Sequence, residues 1–189
     1  MEVEKTALEG VVIITPRIFP DERGYFYESY SQREFNRCVC PTPFVQDNQS
    51  STRYGVLRGL HFQLPPFAQS KLVRAVVGEI ADIAVDIRRG SPTFGQHVAV
   101  RLSAENHKQL FIPRGFAHGF ITLSPQAVVQ YKCDNFYHKE SEGALAWNDP
   151  ALGIDWILPP ADIILSPKDM QHPLLQDAPQ LFSYSHALY

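Results

Sequence analysis

The chain contains 189 residues, with 17 Lys and Arg, 20 Asp and Glu, and a formal net charge of −3. This length suits one domain with a core that needs no disulfides or structural metal, and 44% hydrophobic residues argue against disorder. The balanced charge gives no support to the binding of nucleic acid or of an anionic membrane surface. No apolar run approaches the roughly 20 residues of a transmembrane helix.

Short apolar and β-branched runs alternate with breakers along the whole chain, which is typical of many short strands. The 15 prolines and 11 glycines leave few gaps for a ten-residue helix. The predicted strands, in chain order, are Val11–Thr15, Tyr25–Tyr30, Val45–Gln49, Val56–Phe62, Leu72–Val77, Ile80–Ile87, His97–Leu102, Gln109–Ile112, Gly119–Leu123 and Val128–Cys133. This pattern predicts an all-β sandwich or barrel of antiparallel sheets.

Two helical segments interrupt the strands. The first covers Gln32–Arg37, where Ser31 is expected to cap the helix and Glu34 to complete a capping box. The second is a short turn after Ser166, with Pro167 in its first position. We expect one domain over residues 1–175 and a C-terminal extension over residues 176–189.

The clearest strand is Ile80–Ile87, because its polarity alternates with a period of two. Asp82 and Asp86 fall on one face, which we expect to meet water or a ligand cavity. The opposite face is apolar and consists of Ala81, Ile83, Val85 and Ile87.

The N-terminus and the cysteines predict a cytoplasmic protein. The first ten residues include glutamates where a signal peptide would carry basic residues. The cysteines are an odd number, and Cys38 and Cys40 are too close for an easy mutual bridge. We expect these two and Cys133 to be reduced thiols.

The common nucleotide-binding, hydrolase and zinc-protease motifs are absent, and no two histidines have the i, i+2 spacing of strand metal ligands. Gly59 lies inside a predicted strand and indicates a bulge or a close approach. Each candidate stretch also has an ordinary explanation as a surface arginine, a hydrogen-bonded histidine or a charged helix end. The stretches are Gly55–Gln63 with Arg58 and His61, Ile112–Phe120 with His118, and Leu165–Asp169 with Lys168.

Two of these stretches together resemble the motifs of the cupin family, whose fold is a jelly-roll β-barrel. They are Gly55–His61 and the Pro113-X-Gly115-X-X-His118 pattern. Metal-binding cupins carry His-X-His and a following Glu in the first motif. Here the chain has His61-Phe62-Gln63, with Lys71 near the place of the Glu, so the resemblance implies a cupin without a metal.

A narrower resemblance, in order from about residue 3 to residue 175, is to the dTDP-4-dehydrorhamnose 3,5-epimerase family. It implies that dTDP-4-dehydro-6-deoxy-D-glucose is inverted at C3 and C5, beside its C4 ketone, without a cofactor. The matching blocks are Asp21–Gly24, Phe44–Asn48, Gly55–His61, Lys71–Arg74, Ser91–Gly95, Ile112–Gly119, Trp147–Pro150 and Ser166–Asp169.

The family resemblance also implies roles for individual residues. His61 matches the base, Asp169 its carboxylate partner and Tyr131 the proton donor, while Lys71 is the cation beside the C4 oxygen. The family is dimeric, and Arg23 and Glu28 are expected to serve the neighbouring subunit. The positions that match substrate contacts are Arg23, Glu28, Gln46, Asn48, Arg58, His118, Glu142 and Lys168.

Three alternatives remain open at this point. A metal-dependent cupin would need a third ligand that the motifs lack. A non-catalytic sugar-binding cupin would have no reason to keep His61, Asp169 and Tyr131 together. An epimerase that inverts only C3 or only C5 shares most of the pattern, because selectivity depends on how the sugar is held.

Overall fold

The computed structural model describes residues 1–185 as fifteen strands, one α-helix and several single turns of 3₁₀-helix. The α-helix, α1, spans Gln32–Cys38, and the 3₁₀ turns span Lys139–Ser141, Pro160–Asp162, Asp169–Gln171 and Leu175–Asp177. The strands are β1 (Glu2–Lys5), β2 (Val12–Thr15), β3 (Phe19–Asp21), β4 (Gly24–Phe26), β5 (Gln46–Arg53), β6 (Leu57–Gln63), β7 (Lys71–Val77), β8 (Glu79–Asp86), β9 (Arg88–Arg89), β10 (His97–Ser103), β11 (Gln109–Ile112), β12 (Phe116–Thr122), β13 (Gln126–Cys133), β14 (Glu142–Ala144) and β15 (Phe182–Ser183). None of the helices in residues 1–185 is long and apolar enough to cross a membrane.

Two antiparallel sheets face each other and form the jelly-roll barrel, which confirms the predicted fold class. The six-stranded sheet has the order β1-β2-β11-β7-β13-β5, and the five-stranded sheet has the order β10-β8-β12-β6-β14. Neighbouring strands in both sheets pair antiparallel. The functional cavity therefore lies between walls that come from different sheets.

The apolar core has an inner and an outer part. The inner cluster fills the space between the sheets, where Val73 and Val129 of one sheet meet Ile80 and Phe120 of the other. The outer cluster covers the far side of the five-stranded sheet with segments from the last third of the chain, including Trp156. Burial from both sides fixes the five-stranded sheet as a rigid wall of the cavity.

Strand β8 contributes to both clusters, and its predicted alternation is confirmed. The apolar face, with Ile83 and Val85, belongs to the outer cluster. Asp82 and Asp86 alternate with it but are fully buried, so this face does not meet water. Asp82 instead binds His118 inside the barrel, and Asp86 holds the turn after the strand.

Two local predictions were wrong. Residues 27–30 form no strand, because the aromatic segment ends in the exposed hairpin β3–β4 and then continues irregularly into α1. The predicted helix is present, but Ser31 makes no side-chain cap. Glu34 binds Arg37 at 2.6 Å rather than returning to the N-terminus of the helix, so there is no capping box.

The segment after residue 175 packs on the barrel as far as Ser185. Ala178 and Phe182 are buried in the outer cluster, and β15 pairs parallel with β9. The division of the chain at residue 175 stays a prediction, and residues 186–189 lie outside the described part of the structure. The three cysteines are unpaired.

Candidate active site

A cavity between the two sheets collects most of the predicted site residues. It has a larger chamber of about 300 Å³ and a smaller chamber of about 150 Å³. His61, Lys71 and Tyr131 line both chambers, so they stand at the junction. His61 comes from the five-stranded sheet, whereas Lys71 and Tyr131 come from the six-stranded sheet.

A close contact between β6 and β12 sets the position of His61. A Cβ atom on Gly59 would lie 2.6 Å from the Cα atom of Gly119, so only glycine fits there. The pairing register shifts between His118 and Phe120, as the glycine within the predicted strand indicated. The irregularity places His61 directly opposite His118 on the neighbouring strand.

His61 forms a short hydrogen bond with Asp169, in which its Nε2 atom lies 2.7 Å from Oδ1. The Ser166 hydroxyl donates to the other carboxylate oxygen at 2.8 Å, and the Asp169 amide donates to the same hydroxyl. Burial opposes ionisation of Asp169, but the hydrogen bonds from His61 and Ser166 outweigh it and lower the pKa to about 2. The buried carboxylate is therefore ionised beside the imidazole.

His172 also belongs to this site, and the sequence analysis missed it. Its Nε2 atom lies 3.2 Å from the same Asp169 oxygen, and its ring meets that of His61 at 5.7 Å between centroids. The only sequence signal was the i, i+3 spacing of Asp169 and His172 on one turn. Within residues 1–185, these three side chains are the group of His, Cys, Asp and Glu residues arranged closely enough to hold a metal ion.

Tyr131 and Lys71 form the opposite wall. The Lys71 ammonium lies 6.0 Å from the centre of the Tyr131 ring. Burial raises the pKa of Tyr131, so the phenol keeps its proton at neutral pH. Burial lowers the pKa of Lys71, and the negative charge of Asp82 and Glu142 acts against this shift.

A second histidine–carboxylate pair lies beside the smaller chamber, which His118 lines. His118 Nε2 lies 2.7 Å from Asp82 Oδ1, and both side chains are buried. Burial lowers the pKa of His118, although the adjacent Asp82 carboxylate favours its charged form. The other oxygen of Asp82 has no hydrogen-bond partner among residues 1–185. The alternation of β8 had indicated a polar face here but not this pairing.

Five of the predicted substrate contacts besides His118 lie in or beside the cavity. Gln46, Asn48 and Glu142 line the larger chamber, and Arg58 lines the smaller one. Lys168 binds Glu142 at 2.7 Å, at the edge of the larger chamber. Tyr137 was not predicted, but it lines the same chamber and donates a hydrogen bond to Glu142 at 3.3 Å.

Arg23 and Glu28 are not brought into the cavity of their own chain. The side chain of Arg23 is 90% exposed and binds Asp21 at the tip of the β3–β4 hairpin. Glu28 lines a separate groove beside α1.

The fold and the site define a class of jelly-roll proteins in which a buried histidine–carboxylate pair faces a tyrosine and a lysine across the barrel cavity. The profile of the dTDP-4-dehydrorhamnose 3,5-epimerase family matches residues 5–177. A relative of that name from Salmonella typhimurium is 54% identical and covers 94% of this chain and 97% of its own length. The chain belongs to the dTDP-4-dehydrorhamnose 3,5-epimerase family.

Solved structures of epimerases also resemble this chain in fold and sequence. A dTDP-6-deoxy-D-glucose-3,5-epimerase from Legionella pneumophila, in complex with dTDP-4-keto-L-rhamnose, superimposes with a TM-score of 0.93. It is 48% identical and covers 98% of this chain and 99% of its own. A 3′-monoepimerase from Streptomyces bikiniensis, bound to dTDP-quinovose, has a TM-score of 0.84 and 32% identity, covering 92% and 87%.

Proposed function

We propose that this protein is an isomerase that converts dTDP-4-dehydro-6-deoxy-D-glucose to dTDP-4-dehydro-L-rhamnose by inverting C3 and C5. The observation that carries the proposal is the arrangement of the cavity, in which His61 on one sheet, bound to Asp169 of a 3₁₀ turn, faces Tyr131 and Lys71 on the other sheet. Membership of the epimerase family supports the same substrate.

Both inverted carbons flank the C4 ketone, which makes their protons removable. Asp169 holds Nε2 of His61, so Nδ1 is the ring nitrogen left to accept a proton from carbon. The electron pair of the broken C–H bond moves to the C4 oxygen and gives an enolate. The ionised Asp169 then stabilises the imidazolium that has formed.

The opposite wall completes the reaction. The Lys71 ammonium supplies positive charge for the developing C4 oxyanion. The protonated hydroxyl of the half-buried Tyr131 donates a proton to carbon from the face opposite His61, which inverts the centre. The tyrosinate then recovers a proton from solvent and the imidazolium loses one, so no external oxidant or reductant is needed.

The remaining predicted contacts bind the nucleotide. Arg58 and Lys168 provide cations for the two phosphates, and guanidinium can bind phosphate through two hydrogen bonds. Gln46, Asn48 and Glu142 supply polar contacts at the larger chamber.

The protein acts as a homodimer in this proposal. Arg23 and Glu28 reach the cavity of the partner, because they lie outside the cavity of their own chain. The exposed aromatic residues of the hairpin, including Phe26 with 71% of its surface accessible, suit burial against a second copy. Three unpaired cysteines support a cytoplasmic location.

Proton NMR of the reaction in D₂O tests the function. With dTDP-4-dehydro-6-deoxy-D-glucose as substrate, we expect deuterium at both C3 and C5 and the L-rhamno configuration in the product. Exchange and inversion at only one carbon would establish a single-centre epimerase, the activity named for the Streptomyces bikiniensis relative. Absence of exchange at both carbons would contradict an enzymatic role.

A further inference from the structure

We propose that His61, Asp169 and His172 form a binding site for one transition-metal ion such as Zn²⁺ or Co²⁺, and that the bound ion blocks the catalytic base. The donor atoms of the three side chains all lie within 4.8 Å of one another. Metal binding stands independently of the proposed function, and only its inhibitory effect rests on it.

The geometry is close to that of a protein zinc site. Two ligand atoms of a tetrahedral Zn²⁺ are about 3.3 Å apart, since Zn–N and Zn–O bonds are about 2.0–2.1 Å. His172 Nε2 and Asp169 Oδ1 are already 3.2 Å apart. The 2.7 Å distance from His61 to Asp169 must widen by about 0.6 Å to admit the ion. His61 is the ligand with room to retreat, because 32% of its side chain is accessible.

The chemistry of the donors selects the metal. Two imidazoles and one carboxylate suit Zn²⁺, Co²⁺ and Ni²⁺ better than Mg²⁺ or Ca²⁺. Asp169 is buried and His172 is largely buried, with 6% and 10% of their side chains accessible, so two ligands are preorganised. Ser166 binds the second oxygen of Asp169 and fixes the carboxylate, as outer partners do in metal sites. Because His61 lines both chambers, the site lies at the wall of the cavity.

A bound ion changes the protonation of His61. The Nε2 lone pair forms the metal bond, and in a neutral imidazole the displaced proton moves through solvent to Nδ1. Nδ1 then carries a hydrogen and has no lone pair for a substrate proton. The metal therefore removes the base with only a small movement of His61, so we expect Zn²⁺ to inhibit turnover and EDTA to restore it.

Cobalt absorption spectroscopy on the full chain tests the site directly. After dialysis against EDTA and then metal-free buffer, Co²⁺ is titrated while the visible d–d band is recorded. We expect saturation at one Co²⁺ per chain and displacement by Zn²⁺. In His172→Gln the affinity for Co²⁺ should fall by at least about 10–100-fold. Losses of this size already follow the removal of a residue that only supports a metal ligand. His97→Gln is the matched control, since His97 lies on the edge strand β10.

Several results would overturn the proposal. The proposal is wrong if the wild-type protein shows no saturable Co²⁺ band or if His172→Gln binds Co²⁺ with unchanged affinity. It is also wrong if His97→Gln loses as much affinity for Co²⁺ as His172→Gln. If circular dichroism shows that His172→Gln is unfolded, Asp169→Asn replaces it in the same Co²⁺ titration, because an amide is a poor metal ligand. A wild-type protein that binds Co²⁺ but never turns over the sugar nucleotide would contradict the proposed function alone.

Discussion

Asp169 is the residue that links the fold to the chemistry. It receives hydrogen bonds from His61, His172 and Ser166 in a buried position, and these bonds keep it ionised. In the proposed mechanism the donors hold the Asp169 carboxylate in place before His61 accepts a proton, so little reorganisation is needed when the imidazolium forms. We propose that Asp169 stabilises this imidazolium during proton transfer.

Asp169→Asn should lower kcat by about 10²–10⁴-fold, because an amide cannot stabilise the imidazolium on His61. KM should change little, since the interaction strengthens mainly in the transition state. Steady-state kinetics and thermal unfolding of both proteins check this expectation. An unchanged kcat would remove Asp169 from the mechanism and leave it as part of a helical turn.

Residue periodicity could not have found this pair. His61 and Asp169 are 108 positions apart, and alternation along a strand predicts only which neighbours share a face. The roles of Asp169 and Tyr131 came from the family resemblance. Alternation along β8 placed Asp82 on a polar face and the i, i+3 spacing related His172 to Asp169, but neither pattern predicted a role, and Tyr137 had no usable signal. Their positions depend on which strands and turns meet across the barrel, and this is set by tertiary packing.

At the scale of elements, strand β8 shows how one segment serves both stability and the site. Its apolar face packs in the outer cluster, while Asp82 binds His118 beside the cavity and Asp86 ends the strand. Asp86 accepts hydrogen bonds from the Arg88 guanidinium and from the hydroxyls of Ser91 and Thr93. The Asp86 carboxylate thus stabilises the connection between β8 and β10.

Asp86→Asn should reduce the free energy of unfolding at pH 7 by about 1–3 kcal/mol, because buried donors lose a charged acceptor. Burial raises the pKa of Asp86, but the bonds from Arg88, Ser91 and Thr93 outweigh it and hold the pKa below the ordinary value of 3.8. The stabilisation is therefore fully present above pH 3.8 and is lost as the pH falls through the lower folded-state pKa.

Urea unfolding at several pH values measures this difference. The gap between wild-type protein and Asp86→Asn should narrow as the pH drops below the ordinary carboxyl value. Asp162→Asn, at an exposed carboxylate, serves as the control and should have little effect at any pH. A gap that stays constant down to acid pH would indicate that the charge of Asp86 is unimportant.

The strands themselves were largely predictable, and their boundaries less so. Nine of the ten predicted strands overlap strands of the two sheets, because short β-branched runs between breakers leave few other structures. The Tyr25–Tyr30 prediction was right only as far as Phe26, in the exposed hairpin strand β4, since an aromatic run looks the same whether or not the strand continues. The predicted capping box is absent because Glu34 binds Arg37 on the same helix.

For the whole molecule, the main consequence of the fold is that the two sheets supply different residues of the candidate site. The five-stranded sheet supplies His61 and the six-stranded sheet supplies Tyr131 and Lys71, so two faces of one substrate can be addressed at once. We propose that Arg23, on the exposed hairpin, serves the cavity of a second subunit. In the proposed homodimer each site contains residues of both protomers.

Subunit mixing tests the shared site. His61→Ala and Arg23→Ala homodimers should each have low activity. A heterodimer carrying one variant of each kind, purified through two affinity tags, should recover about half of wild-type activity, because one of its two sites combines an intact His61 with an intact Arg23. If Arg23 served its own chain, both sites of the heterodimer would be defective and no activity would return.

The central claim is that His61 and Tyr131 act on opposite faces of one enolate. His61→Ala should then lose both exchange and inversion, since no enolate forms. Tyr131→Phe removes only the hydroxyl, so the enolate should still form and be reprotonated on its original face by the imidazolium of His61.

The ratio of deuterium exchange to inversion in Tyr131→Phe, measured by NMR in D₂O, tests this claim most directly. We expect deuterium to enter C3 or C5 with the starting configuration retained, faster than the epimer accumulates, so that the ratio rises above that of the wild-type enzyme. If exchange and inversion fall in equal proportion, Tyr131 acts on enolate formation itself, and the assignment of the two residues to opposite faces is wrong.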